Sequence, residues 1–409
     1  MSDLTVRTLT PDDFAEFSTM LSGAFLVDNR DDEVEVERGV FEPERHHGVY
    51  DGTRLVGSTG IQTRLLTVPG AGPTPAAGVT AVGVAPDARR RGVLNAAMRA
   101  ELDELHESGT EPVAVLWASQ APIYGRFGYG CASTAAHLLV SAQAPFRPGV
   151  DAGGRVELLD ASAAGPVIRA VHSAVAPRRV GWLSRTEGQW RWWLIDSEWR
   201  RDGASAYRFA VHHGPDGPDG YVVFRVKLSF GSTGPDSELW VRELVAVTPQ
   251  AAAALWRTLL DLDLVGQVRY HNLPLDDPLQ QMLLNPRGTL TAVVDQLWAR
   301  LVDVDRALQA RRYAAGCDVV LELTDGFCPW NAGRWRLAVD ADGTAEVTRT
   351  DAPAELRCDV ADLGAMYLGG PRLAALAAAG RVHELRPGAV LAASRAFAGD
   401  MAPHCPEVF

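Results

Sequence analysis

The sequence predicts a mixed α/β (α+β) protein: successive mixed sheets with flanking helices, then a smaller α+β part. Three observations carry that prediction. Strand-like and helix-like stretches alternate up to about residue 145, and the same order recurs between about 155 and 290. Short strands and apolar helices then fill about 295–409. The recurrence hints at a diverged duplication. At 409 residues and 44.0 kDa the chain also exceeds one ordinary core. Proline and glycine at Pro145, Pro148 and Gly153-Gly154 mark a boundary, so domains are expected over 1–150, 151–292 and 293–409.

The elements follow in order. Thr10 before Pro11-Asp12-Asp13 starts a helix. Residues 48–57 read as two strands around the Asp51-Gly52 turn, and 61–68 as a strand ending at Pro69-Gly70. The Gly-, Pro- and Ala-rich run 70–78 reads as a loop and 79–84 as a strand. Val93, Leu94, Ala97, Met98, Leu102 and Leu105 recur at helical spacing, and Gly109 stops that helix. Residues 113–117 are almost wholly apolar, as in a strand buried on both faces. In the second part, strands are expected at 207–212, 221–228, 239–247 and 267–270, with a helix at 249–262. Trp182, Trp190, Trp192, Trp193 and Trp199 fall on a predicted helix, where core packing explains them better than a ligand platform. The third part is expected to open with a helix over 294–308. Strands at 317–323, 334–339, 345–349 and 354–359 follow, then helices at 360–368, 372–379 and 390–397.

Composition narrows the function. The chain carries 39 basic and 51 acidic residues, a net charge of -12. Such a surface repels phosphate backbones, so nucleic acid is a poor partner and a cationic small molecule a good one. No apolar run is long enough for a membrane helix, so no membrane partner is expected. Met1-Ser2-Asp3-Leu4-Thr5 has no basic region leading into an apolar stretch, so the cytoplasm is the expected location. Cys131, Cys317, Cys328, Cys358 and Cys405 are scattered without a C-x-x-C pair, which predicts free thiols and no metal site.

The chemistry concentrates in two stretches. In Val82-Gly83-Val84-Ala85-Pro86-Asp87-Ala88-Arg89-Arg90-Arg91-Gly92-Val93-Leu94, a strand stops, three arginines follow, and a glycine opens an apolar helix. The first turn of that helix has N–H groups without intrahelical partners and the positive end of the macrodipole. With arginine charge and a glycine that lets an anion approach, this is a phosphate cradle. It is neither a P-loop nor a dinucleotide fingerprint, lacking G-K-[ST] and G-x-G-x-x-G. The second stretch is Ala118-Ser119-Gln120-Ala121-Pro122-Ile123-Tyr124-Gly125-Arg126-Phe127-Gly128-Tyr129-Gly130, after the 113–117 strand. A tyrosine phenol, with a reference pKa near 10, stays protonated at pH 7 and can serve as a general acid.

The first stretch resembles the R/Q-x-x-G-x-G/A acyl-coenzyme A motif of the GNAT N-acetyltransferases, with Leu94 in place of the last small residue. Tyr124-x-x-x-Gly128-Tyr129 is similar to their Y-x-x-x-G-[FY] element, and together the two stretches resemble the Eis (enhanced intracellular survival) family. The resemblance spans the whole chain. It implies tandem GNAT-like mixed sheets, the first catalytic and the second degenerate, plus a C-terminal domain similar to sterol carrier proteins. It implies acetyl-CoA as co-substrate, no metal, an aminoglycoside- or polyamine-like amine acceptor, and a homohexamer. By the same resemblance Tyr124 would be the general acid, with Tyr129 the rival in the same motif. Val82, Gly83 and Val84 would bind pantetheine. Arg90, Arg91, Gly92, Val93, Leu94 and Asn95 would hold the pyrophosphate, and Ser119 and Gln120 would flank the cofactor. The family's C-terminal carboxylate, its general base, falls on Phe409, with Val408 where an acidic residue is often found.

Two further expectations concern the clefts. In GNAT folds the first helix and its loop line the acceptor cleft, so the acidic run from Asp28 to Glu37 would attract a cation there, the competing reading being a solvated face. Thr248-Pro249-Gln250-Ala251, which opens the second part's helix, has no arginine cluster or glycine, so no acetyl-CoA is expected there. The alternative to an enzyme is a lipid- or metabolite-binding protein working through its C-terminal part.

Overall fold

A long antiparallel pair, Arg54–Val68 against Gly72–Val84, forms the spine of the first sheet. Most of the first strand and Ala76–Val79 of the second are buried. In this computed structural model the described residues are 4–232 and 234–409, so Met1, Ser2 and Asp3 of the N-terminal stretch read above lie outside them. The chain forms two compact units, one from residues 1–133, 183–195 and 296–409, the other from 134–182 and 196–295.

The first unit contains a seven-stranded sheet in the order Leu4–Thr8, His46–Asp51, Arg54–Val68, Gly72–Val84, Val113–Trp117, Leu297–Leu301, Gly130–Cys131. Only the pair Gly72–Val84 with Val113–Trp117 is parallel. Helix Val93–Ser108 packs Met98, Leu102 and Leu105 against Ile61, Val79 and Leu116. Gly109, at φ 60°, closes it by an N–H bond to the Leu105 carbonyl. Residues 70–78 are strand, not loop. Pro73 and Pro75 lie opposite Thr67 and Leu65, and on the other side pairing begins only at Ala76, so neither proline removes a ladder bond there.

The same unit holds a five-stranded sheet, in the order Ala345–Arg349, Gly333–Val339, Cys317–Thr324, Leu356–Asp359, Val382–Glu384. Helices Val304–Gln309, Val360–Met366, Leu373–Ala378 and Ala389–Ala396 accompany it. The helix expected over 294–308 is instead two strands, Leu290–Asp295 and Leu297–Leu301, before a short helix from Val304. A strand hydrogen-bonded on both sides and buried on both faces has the same apolar run as a buried helix, and periodicity cannot separate them.

The second unit has its own seven-stranded sheet, in the order Leu290–Asp295, Thr134–Ser141, Val265–Pro274, Ser237–Ala246, Gly217–Lys227, Arg208–Gly214, Arg155–Leu159. Leu255, Trp256 and Leu259 of helix Pro249–Leu260 anchor its core with Val222, Leu239 and Tyr270. The chain therefore passes between units at residues 133–134, 182–183, 195–196 and 295–296, and Thr134–Ser141 pairs within the second sheet although it precedes residue 150.

Candidate active site

The parallel pair in the first sheet is bonded only at Ala76–Val113, Ala77–Ala114 and Gly78–Val115. Beyond Gly78 the strands part. A bulge marks the place: the register against Arg54–Val68 shifts between Ser58 and Gly60, Ala81 adopts φ 53°, and the Ser58 hydroxyl donates to the Ala81 carbonyl at 2.7 Å. The result is a cleft of about 660 Å³, with Val82, Gly83 and Val84 on one strand and Ser119 and Gln120 after the other.

Helix Val93–Ser108 points its first turn into this cleft, where Gly92, Val93, Leu94 and Asn95 line it. Gly92 sits at φ 89°, a conformation that strains any other residue. No side chain caps the helix, and its first internal bond runs from the Ala96 N–H to the Gly92 carbonyl at 3.0 Å. The three preceding N–H groups are thus left to a ligand, with the positive end of the macrodipole behind them. The arginines divide. Arg90, at φ 63°, lines the cleft, as does Arg89, whose guanidinium also donates to the Ala24 carbonyl at 2.9 Å. Arg91 does not line it; its side chain meets Asp51 at 2.7 Å. Arg126 joins the lining from the turn Gly125–Phe127, a position that no motif in the sequence marks.

Tyr124 ends the short helix Ala121–Tyr124 and is only 4% exposed. A second cavity of about 440 Å³ shares Phe25, Val82, Ser119 and Tyr124 with the cleft, so the phenol stands where the two spaces meet. Burial raises its pKa, the Ser119 hydroxyl hydrogen-bonded to it opposes that rise, and the nearby Glu101 carboxyl adds to it. Tyr124 therefore keeps its proton across the physiological range. Tyr129 is fully buried, lines neither space, and its hydroxyl has no partner. Beneath both rings Glu101 is wholly buried; it accepts from the Thr59 hydroxyl through one oxygen while the other has none. Desolvation pushes its carboxyl up to about 8.

The glycines of this motif answer to packing. A side chain at Gly128 or Gly130 would collide with the Arg300 guanidinium or the Ala361 carbonyl. Arg300 is buried and bonded to Asp325 at 2.5 Å.

The second cavity lies against helices Phe14–Phe25 and Asp31–Arg38, with Phe14, Phe17 and Phe41 on its wall. Of the acidic run, Glu37 lines it, and the Ser18 hydroxyl donates to that carboxylate at 3.1 Å. Asp31 and Asp32 are exposed, Glu33 is buried, and none of these three is part of the lining. His46 is a lining residue the sequence did not reveal. Its Nδ1–H donates to the Glu42 carbonyl at 2.7 Å, and burial drives its pKa down to about 4. It is neutral at pH 7, with the Nε2 lone pair available. Trp182, Trp190 and Trp193 are buried, as expected, although Trp182 lies outside any helix, whereas Trp192 lines the cavity and Trp199 is exposed.

The chain's last residues close the site. His404 to Glu407 are buried, and Gln296 bonds the Cys405 backbone on both sides, at 3.1 and 3.3 Å. Glu407 is clamped between the buried guanidinium groups of Arg64 and Arg185. Phe409 and Val408 then line the cavity, with Arg64 over the Phe409 ring at 5.4 Å.

Comparison with known proteins agrees with this geometry. Residues 5–132 and 181–301 each match the Acetyltransferase (GNAT) domain, and residues 304–406 match the Sterol carrier protein domain. The fold and site thus define an acetyltransferase of the GNAT class, made of two GNAT domains and a C-terminal sterol-carrier-like domain. An uncharacterized N-acetyltransferase of Streptomyces avermitilis is 42% identical over 99% of both chains. N-acetyltransferase Eis of Mycobacterium tuberculosis is 37% identical over 87% of this chain and 86% of its own. Eis1 from Mycobacterium abscessus, a solved structure, superposes with a TM-score of 0.85 at 34% identity, covering 99% of this chain and all of the other. The chain belongs to the Eis family of N-acetyltransferases.

Proposed function

We propose that the protein transfers an acetyl group from acetyl-CoA directly to the amine of a cationic small molecule, with aminoglycosides and polyamines as the acceptors the family resemblance suggests. The observation that carries this reading is the position of Tyr124 at the junction of an arginine-lined, anion-binding cleft and a separate cavity. GNAT membership implies acetyl-CoA, and the residues present fit it. The uncapped turn at Gly92 and the charges of Arg89, Arg90 and Arg126 suit a pyrophosphate. The unpaired strand edge Val82–Val84 offers main-chain bonds to an amide-bearing arm.

Each residue then has a chemical task. A main-chain N–H near Val82 stabilises charge developing on the thioester oxygen. Tyr124 gives its proton to the departing sulfur and so prevents back-attack. The acceptor must attack as a neutral amine. The Phe409 α-carboxylate, with a reference pKa of about 3.3–3.7, orients that amine and accepts its proton through water. The buried Glu407 clamp holds the terminus in place for this task. By the same family resemblance we infer a cytoplasmic homohexamer.

An acetyl-CoA consumption assay against polyamines, aminoglycosides and lysine peptides tests the reading. Removal of Phe409 should abolish most turnover while the thermal transition of the protein stays in place. Unchanged turnover in the folded, truncated chain would remove Phe409 from the mechanism.

A further inference from the structure

The turn that carries Tyr124 does not rest on its own domain alone. The Tyr129 N–H donates to the Tyr124 carbonyl at 3.3 Å, and the Gly128 N–H closes the turn on the Gly125 carbonyl at 3.0 Å. Strand Leu297–Leu301 pairs beside it, with Ala299 opposite Gly130. From this strand Arg300 lays a fully buried guanidinium against Gly128, so closely that a side chain there would have no room. Glycine thus lets a flat, charged group seat the backbone of the turn. The guanidinium is in turn fixed at 2.5 Å by Asp325, a carboxylate of the sterol-carrier-like domain.

Asp325 is itself held. Its Oδ1 accepts from the Phe327 and Cys328 N–H groups at 3.2 and 2.8 Å, and its Oδ2 accepts from the Asn331 amide at 3.2 Å. Asn331 also donates to the Val302 carbonyl at 2.9 Å and accepts from the Val304 N–H at 3.0 Å, which ties the loop 325–331 to the chain just past Arg300. An ion pair bonded in this way fixes a direction, which two apolar side chains of the same volume would not do. The loop makes a second contact. The Phe327 ring meets the buried Phe127 ring of the turn edge-on at 4.9 Å, with the Arg99 guanidinium 3.8 Å over Phe327. A phenol that must meet a departing sulfur gains from such a seat, because a displacement of about 1 Å at a reacting group costs up to ~10²-fold in rate.

We propose that Asp325 and Phe327 of the sterol-carrier-like domain are positioning residues for acetyl transfer: Asp325 through Arg300, and Phe327 through Phe127, hold the turn that aims Tyr124 at the sulfur. The proposal rests on the acetyl-transfer reading above. The test measures transfer by the full chain to whichever of kanamycin, spermidine and a lysine peptide the wild type acetylates fastest. Asp325→Asn should lower kcat about 10- to 100-fold and Phe327→Ala about fivefold, with the acetyl-CoA dissociation constant from calorimetry within about twofold of the wild type. Phe327→Tyr, which keeps the ring, should retain kcat. The deciding readout is the same substitution in a Tyr124→Phe chain. A residue that acts through the phenol's proton has nothing left to aim there, so kcat should change by less than about twofold. A full further loss in that background is what a merely structural role gives, and it overturns the proposal. Wild-type kcat in a folded Asp325→Asn chain does the same. Should Asp325→Asn not fold, Phe327→Ala, on a half-buried loop residue, decides by the same two criteria. Binding of acetyl-CoA without transfer to any of the three acceptors overturns the transferase reading and the proposal with it.

Discussion

The two GNAT domains contain the same secondary-structure order, yet the place where their central parallel strands part is built differently in each. In the first, the helix after the central strand starts at Gly92 with no cap, and the parallel strands part after three residue pairs. In the second, the corresponding helix, Pro249–Leu260, starts from Thr248, whose hydroxyl accepts from the Ala251 N–H at 3.1 Å. Pro249 has no N–H to offer. The parallel strands there pair from Ser237 to Val241, and where they diverge the Tyr270 phenol hydrogen-bonds the backbone of Leu244. One helix donor is thus capped, another is absent at the proline, and the strand edge meets a phenol of the same domain. The difference teaches that a ligand site in this fold is a set of main-chain donors left without an internal partner. In the second domain the corresponding positions are occupied from within the chain.

The largest expected effect breaks the catalytic side of that comparison. Tyr124→Phe keeps the ring and removes the proton, so kcat should drop about 10²- to 10⁴-fold with little change in acetyl-CoA affinity. Steady-state rates together with calorimetry separate the two quantities. An unchanged kcat removes Tyr124 as the acid. The rise in its pKa places loss of its proton above the ordinary phenol range, so the rate should not fall for that reason between pH 7 and 9.

Buried carboxylates give a second contrast. In the second domain Glu243 accepts from the Tyr221 hydroxyl at 2.5 Å, whereas in the first one oxygen of Glu101 and the hydroxyl of Tyr129 have no partners. The folded-state pKa of Glu101, about 8, lies above the ordinary carboxyl value of 4.5. Below pH 4.5 both the folded and unfolded chains hold the proton, and stability is full. As pH rises toward 8 the unfolded chain releases it first, so stability is lost over that window and then levels. Glu101→Gln should therefore match the wild type near pH 5 and exceed it by pH 8, each kcal/mol of relief raising Tm by about 2–4 °C. A Tm difference that does not grow with pH sinks this assignment.

Arg90 tests the cradle itself. Arg90→Ala should raise KM for acetyl-CoA about tenfold through loss of a charge-assisted contact, with kcat nearly retained. Arg91→Ala should do far less, because its side chain is engaged by Asp51 outside the cleft. Equal effects from the two variants would mean that charge alone, not placement, holds the ligand.

Much of this was legible in the sequence, and the reasons differ by residue. The helix at Val93–Ser108 announced itself by spacing, with glycine at both ends, whereas Tyr124 was singled out by its resemblance to the family's motif. What depends on distant pairing was not legible. Arg64 and Glu407 lie 343 positions apart, and no local pattern links them. The insertion of Leu297–Leu301 beside Val113–Trp117 has the same origin, since an apolar strand carries no label for its partner. His46 and Glu37 were hidden differently. A single histidine and one acid among many acquire meaning only when aromatic packing places them on a cavity wall.

The smallest predicted effect probes the second domain. Thr248→Ala removes the side-chain cap and should cost about 1 kcal/mol of stability, while kcat and KM stay as in the wild type. Acetyl-CoA titration of this variant should still give one site per chain. Freeing the Ala251 N–H adds a donor but no arginine charge, and Tyr270 still occupies the strand edge at Leu244. A second acetyl-CoA per chain, in the wild type or in Thr248→Ala, would show that an internal cap is weaker than the ligand it replaces, and the contrast between the two domains would fail.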